Sequence, residues 1–341
     1  MSNKMINLME VCGTHTHQIA KYGIKSILPE NVNLISGPGC PVCVTSQKDI
    51  DRAIWIASQK NVIFCTFGDM LKVPGYSTSL EKLKSEGKDI RVVLSAGDCI
   101  DIALRNRDKT VIFMAVGFET TSPTVAATIL KAKKLKIKNF KIFVSHKLII
   151  PAIEELLKDE NLKVNGFILP GHVSTIIGKK PYQFITKKYK KAGVITGFEP
   201  EDVLEGIKML IKQIEHNDFK IEIQYKRAVK EEGNSKAIEI LYRVFEKCSS
   251  EWRGLGIIKN SGLKLKEEFK EFDVENFFEI PEIETKENSG CICGEILKGI
   301  KKPSDCTLFK KVCTPFNQVG PCMVSSEGTC AAFSDLKIIE K

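Results

Sequence analysis

The chain has 341 residues, enough for two or three domains, and its 43% hydrophobic and 27% charged residues are an ordinary globular mix. Its longest strongly apolar run, residues 111–116 with Phe118 just beyond, is too short to cross a bilayer. The net charge of +9 is carried by scattered lysines, densest at 131–141 and 187–191, with no interleaved aromatics, which argues against a single-stranded nucleic-acid binder. The first residues run straight into a strand without an apolar signal region, so a cytoplasmic protein with no membrane contact is expected.

The twelve cysteines are the more telling feature. Structural disulfides are rare in a reducing compartment, so this many thiols point to metal or redox work. They are clustered: Cys12, Cys40 and Cys43 near the start, then Cys291, Cys293, Cys306, Cys313, Cys322 and Cys330 near the end. Cys65, Cys99 and Cys248 stand apart.

In chain order, short β-branched runs alternate with helix-like segments, the pattern of parallel sheets built from βαβ units. The first predicted strand, 6–10, leads into Cys12-Gly13-Thr14-His15. The second, 32–35, leads into Gly37-Pro38-Gly39-Cys40-Pro41-Val42-Cys43, and the third, 62–66, into Phe67-Gly68-Asp69. Strands at 91–95, 111–116, 141–145, 166–169 and 194–196 follow. Gly117-Phe118-Glu119-Thr120-Thr121 follows the fifth of the eight and Pro170-Gly171-His172 the seventh. Two similar sets of four strands are expected, giving α/β domains at 1–108 and 109–250. A small cysteine-rich domain is expected at 251–341.

In open parallel sheets, ligands bind beyond the carboxyl ends of the strands, where these unusual residues fall. The glycines before Cys40 allow a tight turn, and Pro41 suits the first turn of a helix, whose amides would favour a thiolate at Cys40. The Cys40/Cys43 pair reads either as a dithiol/disulfide couple or as two thiolates for a soft metal. Cys12 with His15 adds a thiolate and an imidazole, a donor set for iron, zinc or copper. His17 reads as a structural histidine; His172, in a turn at a strand end, divides evenly between the two roles. Among the tail cysteines, spread-out positions in Gly/Pro turns favour an iron–sulfur cluster over structural zinc. Glu119, Asp69 and Asp98 could position the site or move protons, although solvated loop carboxylates fit them as well. Phosphate-loop, dinucleotide, hydrolase-elbow and metalloprotease signatures are absent.

The motifs at 11–17, 37–43, 117–121 and 170–174, with Met323-Val324-Ser325-Ser326-Glu327-Gly328, together resemble the HypD family of [NiFe]-hydrogenase maturation factors, and the likeness spans essentially the whole chain. It implies two α/β domains and a C-terminal domain holding a [4Fe-4S] cluster. It implies a scaffold rather than a metabolic enzyme: with a small HypC-like partner, such proteins carry an iron atom that acquires one CO and two cyanides. Cyanide arrives through a HypE-like donor working with HypF, and the product passes to the hydrogenase large subunit. Carried over, Cys12, His15, Cys40 and Cys43 are the functional residues, with Cys40 and Cys43 redox-active. Cys306, Cys313 and Cys330 match the cluster ligands, the fourth being Cys291 or Cys293. The spare one, with Cys322, would be a redox thiol beside the cluster, which would relay electrons toward Cys40 and Cys43. The rival expectation is an iron–sulfur-dependent thiol–disulfide oxidoreductase.

Overall fold

A computed structural model describes residues 4–334. All eight predicted strands are present: β1 (Ile6–Glu10), β2 (Val32–Ser36), β3 (Val62–Thr66), β4 (Ile90–Val92), β5 (Thr110–Gly117), β6 (Phe140–His146), β7 (Gly166–Leu169) and β8 (Ala192–Ile195). Three more were not legible: β9 (Ile221–Ile223), β10 (Phe245–Trp252) and β11 (Gly256–Leu265). The protein is α/β with two parallel sheets, ordered β2-β1-β7-β8-β9 and β4-β3-β5-β6, and a separate antiparallel hairpin, β10-β11.

The strands do not divide into consecutive fours. β1 pairs in parallel with β7, Leu8 opposite Gly166, so strands far apart in sequence share a sheet. Two compact units result, and each is discontinuous. The first takes in the described residues of Met1–Val44, Ile149–Ser235 and Gly290–Lys341; the second comprises Thr45–Leu148 and Lys236–Ser289. The expected boundaries at 108 and 250 therefore do not coincide with the units, and the cysteine-rich tail belongs to the first. The reason is physical: parallel neighbours need a crossover, and the chain between β1 and β7 carries the whole Thr45–Leu148 segment of the second unit. The expected correspondence of the first four strands with the last four does not hold, but the two sheets share a different likeness. In each sheet the first strand in the chain lies second from one edge, flanked by its successor outside and by the next strand inside.

In the second unit β5 is buried almost throughout, as a central parallel strand covered on both faces must be. Val111, Phe113 and Ala115 share a core with Val125 and Ile129 of the Ser122–Lys134 helix, and the hairpin adds Phe245, Leu263 and Leu265. Cys65 and Cys99 are packed into that same core. In the first unit, Leu8, Leu34, Ile168 and Val194 line up from successive strands against Val203, Ile207 and Leu210 of the Pro200–His216 helix. Among the described residues no helix is long and apolar enough to cross a membrane.

One polar knot stands out in the second unit. Ser46 caps the Gln47–Ser58 helix by accepting from the Asp49 amide at 3.1 Å. The Asp49 carboxylate turns instead to β6, accepting from Ser145 Oγ at 2.6 Å and Lys147 Nζ at 3.3 Å. Lys147 is 1% exposed, and its ammonium also donates to Ser250 Oγ of β10 at 2.6 Å. Removing one partner of a buried ion pair strands the other charge. Asp49→Asn is thus expected to lower the unfolding free energy by about 3 kcal/mol, measured by denaturant titration, whereas exposed Asp101→Asn should change it by less than about 0.5 kcal/mol.

Candidate functional site

In the first sheet the chain leaves β1 toward β2 on one side, while β7 leads to β8 on the other. The loops after β1 and β7 diverge at this switch point, the place where open α/β sheets bind ligands. Cys12 is the N-cap of the Gly13–Lys21 helix, and His15 lies in its first turn. The loop after β2 presses onto them. The Gly13 amide donates to the Gly39 carbonyl at 3.0 Å. A Cβ at Gly39 would lie 2.1 Å from the Cys12 backbone nitrogen, so only glycine allows this approach. Cys40 and the short Pro41–Val44 helix follow directly.

His15 is fully buried. Its Nε2 lies 2.9 Å from the Gly197 carbonyl and 2.8 Å from Thr196 Oγ1. Nδ1 has no hydrogen-bond partner among the described residues. Burial holds the imidazole at about 4, hydrogen bonding at Gly197 only partly offsetting it, so the ring is neutral at neutral pH. Phe198 stacks on His15 and also on His172. His17 instead meets the Ser326 carbonyl through Nδ1 at 3.1 Å, the structural role expected of it.

The thiols are not activated in the way the sequence suggested. Cys40 is 3% and Cys43 0% exposed, and burial pushes both upward, the Cys43 amide donating to Cys40 Sγ at 3.3 Å notwithstanding. A four-residue helix has too small a dipole to outweigh that desolvation. Burial likewise raises Cys12 to about 11, with the Glu327 carboxylate adding to the effect and the Thr14 and His15 amides opposing it. These are neutral thiols until a cation or an oxidant acts on them.

From Cys43 the thiols continue inward as a line. Cys43 is hydrogen-bonded to Cys322, Cys322 to Cys293, and Cys293 to Cys291. Cys291, Cys293, Cys306, Cys313, Cys322 and Cys330 line one small pocket. Cys330, raised chiefly by burial, feels Cys291, Cys313 and Cys306 as its neighbours. Val319 donates its amide to Cys313 Sγ at 3.4 Å. A soft, sulfur-only donor set around one pocket, with an amide aimed at one sulfur, is chemically suited to an iron–sulfur cluster. Among the described residues no three His, Cys, Asp or Glu side chains are arranged to hold a single metal ion. The loops thus bring Cys12, His15, Cys40 and Cys43 into one neighbourhood without closing them into a cage.

Two carboxylates at this site went unassigned in the sequence. Glu327 accepts from Thr14 Oγ1 at 2.6 Å, tying the tail motif to the turn after β1. Glu10, the last residue of β1, is fully buried, accepting from Ser36 Oγ at 2.6 Å and Thr16 Oγ1 at 3.4 Å, while its Oε2 has no partner among the described residues. The signal was there: an acid ending an otherwise largely apolar strand. Glu119, Asp69 and Asp98 belong to the second unit. Glu119 is buried, Asp69 is exposed, and Asp98 accepts from the Leu94 and Ser95 amides as a turn-forming residue.

Comparison with known proteins identifies the family. A family model named HypD, described as the hydrogenase formation hypA family, matches residues 1–337. The chain belongs to the HypD family. It is 49% identical over 328 residues to a putative hydrogenase expression/formation protein of Methanocaldococcus jannaschii, covering 96% of this chain and 91% of that protein. It is 46% identical to hydrogenase maturation factor HypD2 of Bradyrhizobium diazoefficiens, over 96% of this chain and 89% of the other. It is 43% identical to hydrogenase maturation factor HypD of Escherichia coli, over 97% and 89%.

Burial pushes the Glu10 carboxyl up to about 7, against the pull of Lys25, Ser36 and Thr16. A carboxyl that keeps its proton longer in the folded chain gives stability that is lost as pH rises between its ordinary 4.5 and about 7. Relative to Glu10→Gln, the wild type is expected to lose on the order of 3 kcal/mol of unfolding free energy across that window. Denaturant midpoints at several pH values measure this; a difference constant with pH would contradict it.

Proposed function

We propose that this HypD-family chain is the scaffold on which iron acquires its CO and cyanide ligands for the [NiFe] centre of a hydrogenase, acting in the cytoplasm. The observation that carries this reading is the unbroken line of thiols in the first unit, Cys40–Cys43–Cys322–Cys293, ending at a cavity lined by cysteine. At one end of the line stand Cys12 and His15, which with Cys40 and Cys43 supply three sulfurs and one imidazole to the iron substrate. Such donors suit low-spin Fe(II) carrying strong-field ligands. Cys40 and Cys43 pass between dithiol and disulfide, giving two protons to solvent and two electrons, one at a time, to an external one-electron carrier, and regaining them from solvent and a reduced carrier. Their burial keeps them protonated until iron arrives, so uptake of the metal releases protons from the thiols.

At the other end, Cys291, Cys306, Cys313 and Cys330 would hold a [4Fe-4S] cluster. When bound, that group supplies one-electron redox chemistry. Of the two cysteines between which the sequence left the fourth ligand open, Cys291 is the better choice. Both lie near Cys330, but Cys293 is bonded to Cys322, a thiol pair leading toward Cys43, which leaves Cys291 for the cluster. The partners that fit this role are a HypC-like small protein, a HypE-like cyanide donor and, indirectly, the hydrogenase large subunit. A thiol–disulfide oxidoreductase acting on outside substrates is less well supported, because its attacking thiolate must be accessible and both thiols here are buried.

Protein produced anaerobically with its small partner and the other maturation factors is the material for the test. Infrared spectra of wild type are expected to show cyanide and CO stretching bands that vanish in Cys40→Ser, while iron and acid-labile sulfide stay at the level of one cluster. Cys291→Ala should lose that iron and sulfide and Cys293→Ala should keep them. A full cluster with no such bands in the wild type would sink the scaffold reading.

A further inference from the structure

Phe198 is clamped between two imidazoles. Its ring lies 4.8 Å from His15 at an interplanar angle of 26° and 3.9 Å from His172 at 25°, with Tyr225 meeting it edge-on at 5.8 Å and 79°. Gly171 leaves the room for this stack: a Cβ there would sit 2.4 Å from the Thr196 carbonyl oxygen and 3.1 Å from the Phe198 ring. The stack fixes the plane of the His15 ring. The rotation within that plane is fixed by Nε2, which faces the Gly197 carbonyl and the Thr196 hydroxyl. A carbonyl has no proton to give, so the proton of this contact resides on Nε2. Nδ1 is buried with no acceptor in reach among the described residues, so a proton there would be stranded. What remains on Nδ1 is a lone pair, already oriented.

We propose that the Thr196-Gly197-Phe198 turn is a positioning device that holds His15 as its Nε2–H tautomer and presents Nδ1 as the iron-binding atom. Phe198 acts through His15 and is a positioning residue; His15 is the ligand. This deepens the scaffold reading and rests on it. Histidines that bind metals characteristically donate their other ring N–H to a carbonyl or carboxylate, which fixes the tautomer and raises the basicity of the coordinating nitrogen. Here that outer partner is supplied by the turn after β8, a segment contributing no ligand of its own. Binding through Nδ1 displaces no proton from His15, so any protons released on iron uptake come from the thiols.

The first measurement is long-range proton–nitrogen correlation on metal-free, full-length protein labelled with ¹⁵N-histidine, the His15 signal being assigned by its absence in His15→Gln. The expected pattern is the Nε2–H tautomer; an Nδ1–H pattern overturns the proposal with no mutation of the turn needed. The second is anaerobic Fe(II) titration of wild type, His15→Ala, Phe198→Leu, Phe198→Tyr and Gly171→Ala. Phe198→Leu and Gly171→Ala are expected to weaken Fe(II) binding by about tenfold or more, with Phe198→Tyr restoring it. Wild-type affinity in Phe198→Leu, alongside lost binding in His15→Ala, overturns the positioning role and leaves the scaffold reading standing. Wild-type affinity in both His15→Ala and Cys40→Ser overturns the two together.

Discussion

The backbone of Gly39 lies against the backbone of Cys12, and the rest of the site depends on that approach. Two loops from neighbouring strands could each carry a cysteine and still hold them apart. What joins them is the missing side chain at residue 39, together with the amide of Gly13 bonded to the Gly39 carbonyl. Any larger residue would separate the CxxC pair from the turn holding Cys12 and His15 by the width of a methyl group. In a close-packed interior such a displacement is not absorbed locally. The tail motif then closes the arrangement from another direction, Glu327 reaching Thr14 and Cys322 reaching Cys43.

Burial governs the chemistry of this site more than helix dipoles or neighbouring charges do. The thiols of Cys12, Cys40 and Cys43 are raised by desolvation first, and the same desolvation keeps His15 unprotonated. The combination is selective. A neutral imidazole is a ready ligand, whereas a neutral thiol is a poor one until a cation displaces its proton. A site of this kind holds its reactive groups in reserve in the absence of metal and does not expose them to adventitious oxidants.

Much of this was legible in the sequence, and the failures have identifiable causes. The eight principal strands could be read because buried parallel strands are continuous β-branched runs, as in β5. Their allocation to sheets could not, because pairing of β1 with β7 is a long-range choice that leaves no local trace. The hairpin was missed because β10, Phe245-Glu246-Lys247-Cys248-Ser249-Ser250-Glu251-Trp252, is mostly polar and buries mainly its two ends. The cysteines stood out in the sequence because a thiol in a Gly/Pro turn lies outside any apolar period; the approach of Gly39 to Cys12 that brings two of them together was visible only in the fold. The dipole argument for Cys40 failed because it weighed a local feature without knowing the burial. Thr196 and Phe198 passed without a role because nothing in a Thr-Gly-Phe turn signals that a histidine some 180 residues away will lean on it.

The interleaving of the two units has a consequence for how the protein is made. The first unit needs residues 4–44, which leave the ribosome before the second unit, and the described residues from Gly290 onward, which leave it after. At synthesis rates of roughly 5–20 residues per second, tens of seconds separate the two. Through that interval the early cysteines have no partners from the tail, and β1 has no β7 until the second unit's first segment has been made. Assembly of the line of thiols therefore waits until the segment from Gly290 onward has been made. A product that stops before Gly290, however well its second unit folds, carries no assembled line of thiols.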